Sequence, residues 1–134
     1  MAVRAITLMN SIKNISDLKA TASIIHDARL FPDNIAFDSA NNKLEFICWI
    51  RKRNCASAEN ETCIWAAHRI IFIDVESAQI KVDEVAPYYE CSTIHFNNDN
   101  HLLEVVFHYG LTLKFNVKTI HGSFEETGQT RADW

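Results

Sequence analysis

His101-Leu102-Leu103-Glu104-Val105-Val106-Phe107-His108-Tyr109-Gly110-Leu111-Thr112-Leu113-Lys114-Phe115-Asn116-Val117 reads as two strands joined by a tight turn. Gly110 can take the left-handed backbone that closes a three-residue hairpin loop, His108-Tyr109-Gly110. In that register Phe107 faces Leu111, Val105 faces Leu113 and Leu103 faces Phe115, which makes one apolar sheet face. On the other face Val106 meets Thr112, Glu104 meets Lys114 and Leu102 meets Asn116. A single register thus separates an apolar inside from an outside carrying a cross-strand ion pair. The stretch decides for an antiparallel β architecture and declares no chemistry.

The rest of the chain is consistent with one domain spanning 1–134. Its 134 residues are enough for a sizeable core, 48% of them are apolar, and 3 Gly and 2 Pro are too few for a linker. Ser16 is a candidate cap for a helix from Asp17 to Arg29. Leu18, Ala22, Ile25 and Ala28 share its buried side, and Pro32 bars continuation. Besides a first short strand at 3–9, strands are expected near 34–38, 43–52, 64–75, 79–84, 91–97, 101–107 and 111–118. Around a turn at Glu76–Gln79, Val75 would face Ile80 and Ile73 would face Val82. Asn97-Asn98-Asp99-Asn100 signals another turn. Segment 118–128 suits either state: Val117, Ile120 and Phe124 fit a helix, whereas Ile120, Gly122 and Phe124 fit a strand. A short helix is the reading taken, with Gly128 at its end. The expected fold class is α+β. It comprises about seven mostly antiparallel strands in a twisted sheet or partly closed barrel, the N-terminal helix packed on it and a short C-terminal helix.

Asp17-Leu18, His26-Asp27-Ala28 and Gly110-Leu-Thr-Leu-Lys-Phe-Asn-Val117, followed by Ile120, Phe124, Glu126 and Gly128, resemble a small alphaproteobacterial family of unknown function. The chain departs from that family at Cys48-Trp49-Ile50-Arg51. The resemblance implies a bacterial origin and a single compact domain. It implies no activity and assigns no catalytic residue.

Composition narrows the partners. The net charge is -4 and the pI about 5.8, against the basic balance usual in nucleic-acid binders. Arg51-Lys52-Arg53 reads as the solvated end of a strand. No apolar run approaches the roughly 18 residues of a membrane span. The N-terminal stretch lacks a signal peptide's apolar core, so a cytoplasmic location with reduced thiols is expected. Cys48 then reads as a small core residue, and Cys55 and Cys63 as free loop thiols.

No pattern points to catalysis. His26, His68, His95, His101, His108 and His121 are scattered, and no Cys-x-x-Cys supports a metal site. His95 and His101 are expected on opposite faces. His26 and Asp27, as helix neighbours, are expected to diverge. There is no nucleophile elbow, phosphate-binding loop or dinucleotide fingerprint. No catalytic, cofactor or metal residue is therefore assigned. What remains is aromatic: Trp49, Trp65, Tyr88, Tyr89 and Trp134 are not all explained by a core, and Ile47 shares the second face of its strand with Trp49. Cover by the N-terminal helix is one explanation of that face; a partner surface of Trp49, Ile47, Trp65, Tyr88 and Tyr89 is the other. The expected function is a non-catalytic module that binds a protein partner or a second copy. The alternative is a small-molecule binder or small enzyme with a pocket between helix and sheet.

Overall fold

The computed structural model describes residues 9–52 and 64–132. The first elements among them are β1 (Met9–Ile12), α1 (Ile15–Ile25), β2 (Arg29–Leu30), a 3-10 turn at Pro32–Asn34, β3 (Ile35–Asp38) and β4 (Lys43–Arg51). Then come β5 (Trp65–Phe72), β6 (Val75–Val82), β7 (Tyr89–Asn97), β8 (Leu102–His108), β9 (Leu111–Val117) and β10 (Gly122–Arg131). All strand pairs are antiparallel. The order is β1-β10-β5-β4-β2-β7-β8-β9-β6, with β3 also on β4.

This corrects the expected fold class. The described residues form a mostly-β open sheet of ten strands with one α-helix, not an α+β domain of seven. The expected C-terminal helix over 118–128 is replaced by β10, which inserts between β1 and β5. Gly122 makes this insertion feasible: a Cβ there would lie 2.3 Å from the Ile71 carbonyl oxygen.

The hairpin register is as the sequence dictates, from Leu102↔Asn116 to Phe107↔Leu111. Tyr109 joins Gly110 in the left-handed region, with φ of 74° and 97°. Two other turns differ. Asp74, with φ of 58°, reverses the chain after β5, and β6 runs alongside β9 (Ile80↔Leu113) instead of folding back at Glu76–Gln79. The turn expected at Asn97–Asn100 is shifted by one residue: the loop runs from Asn98 to His101, and Asn97 pairs with Leu102.

The sheet curls around its own apolar face. Phe46 on β4 meets Phe107 on β8 edge-to-face at 6.2 Å, and Phe72 on β5 meets Phe115 on β9 at 5.2 Å. Several strands separate the members of each pair, so the two halves must face one another. The two-residue β2 sits between the halves, and Val75 N–H donates to Asn42 C=O at 2.9 Å across the opening.

α1 is shorter than expected. Asn14, not Ser16, is the cap: its side chain accepts from Asp17 N–H at 2.8 Å while the Asp17 carboxylate accepts from Lys13 N–H at 2.9 Å. It stops at Ile25 because Asp27 N–H donates to Cys91 C=O and Cys91 N–H to Ala28 C=O, which diverts the chain into the sheet. α1 packs on β1 and β7. Its Leu18 and Ile25 join the core that holds Leu44, Phe46 and Cys48. The helix therefore does not cover the outer face of β4, where Ile47 and Trp49 lie.

Candidate functional site

Leu30 is fully buried, so its neighbour Arg29 points to the outer, convex face. There Arg29 pairs with Trp49 of β4 on one side and Glu90 of β7 on the other. The Arg29 guanidinium carbon lies 4.4 Å from the Trp65 ring centroid and 4.4 Å from that of Tyr88. It is held between two aromatic faces, where the ring quadrupoles favour a cation. Arg131, at the end of β10, extends the cluster: its guanidinium carbon is 5.8 Å from the Phe31 ring and 5.9 Å from the Trp49 ring. At the other end Tyr88 meets Tyr109 edge-to-face at 6.2 Å, and Tyr109 is 51% exposed.

The band thus runs from the β8–β9 turn, across β2, to the ends of β5 and β10. Trp49 and Tyr88 are half-buried, and Trp65 is 7% exposed. Ile47, also half-buried, lies beside Arg69, whose guanidinium bridges Glu125 (2.8 Å) and Glu45 (3.5 Å). Tyr89 does not belong to this surface. It is 1% exposed, and its hydroxyl donates to Glu84 C=O and accepts from Ala86 N–H. The structure therefore brings together Trp49, Trp65 and Tyr88, leaves Ile47 at the margin and assigns Tyr89 to the core. Sequence reasoning missed Arg29, Arg131, Phe31 and Tyr109. The available signal was Ala28-Arg29-Leu30, in which an arginine alternates with buried apolar residues.

A cleft of about 600 Å³ opens beside this band at the C-terminal end of α1, with Ile24, His26, Asp27, Arg51, Trp65 and Glu90 among its walls. His26 Nδ1 lies 3.2 Å from the Asp27 carboxylate, contrary to the expected divergence, because the helix has already ended. Both side chains are exposed.

Two other histidines make contacts within the fold. His68 stacks on Phe124 at 5.1 Å, and the His101 ring Nδ1 sits 3.0 Å from Lys118 C=O. Among the described residues no group of three or more His, Cys, Asp or Glu side chains is placed to hold a metal ion. Cys48 and Cys91 are buried and unbridged. Burial, with Asp27 nearby as a smaller cause, pushes the Cys91 thiol up to about 12, and burial raises Cys48 well above its usual value. Cys55, Cys63 and most of the 52–64 loop lie outside the described residues, as does Trp134. Among the described residues no helix is long and apolar enough to cross a membrane.

No family model, curated protein or solved structure matches the chain.

Proposed function

We propose that this chain is a non-catalytic protein-interaction module whose partner seats on the outer-face band from Tyr109 and Tyr88, across Arg29, to Trp65 and Trp49. The observation that carries the reading is the stacking of Arg29 between Trp65 and Tyr88 on the convex side of the sheet. Trp, Tyr and Arg dominate interface hot spots because they offer large contact area at little entropic cost when already held in place. Here the stacking does the holding. The raised thiols of Cys48 and Cys91 argue against either of these two cysteines as a nucleophile. The resemblance to the alphaproteobacterial family is compatible with this proposal and supplies no activity of its own.

A second reading rests on the cleft beside α1, whose paired His26 and Asp27 could serve a small-molecule site. One experiment separates the two. A photoreactive benzoylphenylalanine replaces Tyr109 in one variant and Gln79, exposed on β6, in another. Irradiation in the native host should give discrete cross-linked protein species from position 109 and none from 79. No discrete species at 109, or the same species from both positions, would reject the protein-partner reading.

A further inference from the structure

A separate concavity of about 520 Å³ lies at the opposite end of α1 from this band. Its walls come from three places: Lys13 and Ile15 at the start of α1, Phe96 and His101 beside the β7–β8 turn, and Lys118 and Ile120 between β9 and β10. The chain carries a net charge of -4, yet among the described residues no Asp or Glu lines this cleft. Two carboxylates adjoin the lining in sequence: Asp17, which accepts from the Lys13 backbone N–H, and Asp99, which follows Asn98 in the β7–β8 turn. Both lysines are exposed, Ile15 is 38% exposed, and Phe96 and Ile120 are half-buried. The His101 ring is held 3.0 Å from Lys118 C=O and 6.1 Å from the Phe96 ring, so the β7–β8 turn and the β9–β10 connection are joined at the cleft.

We propose that this cleft binds a small amphipathic carboxylate, with its anionic head between Lys13 and Lys118 and a short aliphatic body on Ile15, Phe96 and Ile120. A cationic rim over an apolar floor matches both halves of such a ligand. It disfavours a cation, which the lysines repel, and a purely polar anion, which leaves the floor wet. Each CH₂ added to the ligand should tighten binding by about fourfold until the floor is filled.

The test is an NMR titration of the ¹⁵N-labelled chain with octanoate, acetate, octan-1-ol and octylamine in parallel. Octanoate should move the amides of residues 13–16, 96–101 and 118–120 saturably. Acetate and octylamine should bind at least about tenfold more weakly, and octan-1-ol should fall between. The Lys13→Glu/Lys118→Glu double variant should lose octanoate binding about tenfold or more while Leu113 and Phe115 keep their amide positions. If the double variant disturbs those core amides, Lys13→Gln/Lys118→Gln replaces it with the same expectation. Three results would overturn the proposal: no saturable shift with octanoate, octylamine binding as well as octanoate, or a charge-altered variant that stays folded and binds octanoate unchanged. Shifts confined to residues 29, 49, 65 and 88 would also overturn it, and would not bear on the protein-partner reading.

Discussion

Gly122→Ala separates the two readings of the C-terminal segment by the sign of its effect. In a helix, alanine for glycine stabilises by about 1 kcal/mol, because glycine loses more backbone freedom on folding. In β10 the same methyl would sit 2.3 Å from the Ile71 carbonyl oxygen, 3.1 Å from the Phe72 ring and 3.3 Å from the Ile71 carbonyl carbon. Two of those atoms belong to the backbone of β5, which is itself fixed by β4, so the neighbour cannot swing away. β1 blocks retreat on the other side through the Ile12↔Gly122 pair. Relief therefore requires strands to move, and overpacking of that kind costs about 1–3 kcal/mol. For a chain of this length that corresponds to a fall in Tm of roughly 3–12 °C. Urea unfolding followed by tryptophan fluorescence measures it directly: the midpoint should fall with the slope unchanged, which marks a loss of stability and not a change in compactness. A midpoint at or above that of the parent would refute the close approach and with it the placement of β10.

The hairpin offers a paired test: Phe115→Ala removes a fully buried ring that packs on Phe72 and should cost about 3–5 kcal/mol. Glu104→Ala breaks only a 3.6 Å ion pair on a partly exposed face, and should cost under about 1 kcal/mol and less still at high salt. Arg29→Met keeps a long side chain between Trp65 and Tyr88 but removes the charge. It should lower stability by about 1–2 kcal/mol, read as a urea midpoint shift, and no loss would show that the stack is incidental. Cys48 and Cys91 should resist thiol reagents in the native chain and react at the rate at which the fold opens. Because the folded chain holds the Cys91 proton to about pH 12 while the unfolded thiol releases it near 9.0, this group should leave stability unchanged below pH 9 and lower the urea midpoint as pH rises from there to about 12.

What the sequence made legible was local. From Leu102 to Val117 the alternation is unbroken, a glycine marks the turn and the charges fall opposite one another, so register follows from period and turn alone. β10 hides because its second half, Glu125-Glu126-Thr127-Gly128-Gln129-Thr130, has no apolar alternation to read, while Gly122 looks like a helix breaker and is in fact a packing requirement. β6 was partly visible as a strand, but its partners lie about 30–40 residues away, and its own alternation cannot choose between a local fold-back and β9. The candidate site depends on β2, two residues long, which brings Arg29 between rings from β5 and the residue before β7. Periodicity flagged the aromatics as unexplained but could not name the arginine that organises them. Tyr89 shows the converse limit, since Tyr88 and Tyr89 are equivalent by composition and only the sheet assigns one to the surface and the other to the core.

The outer-face band is the proposed seat of the partner. Amide hydrogen exchange of the chain, alone and with the protein captured through position 109, tests that directly. The proposed partner seat predicts slowed exchange confined to residues 29–31, 47–49, 65–67, 86–90 and 107–110, with β6 unchanged. Protection centred on β6, or spread evenly over the sheet with no excess at Arg29, Trp49 and Tyr88, would contradict it.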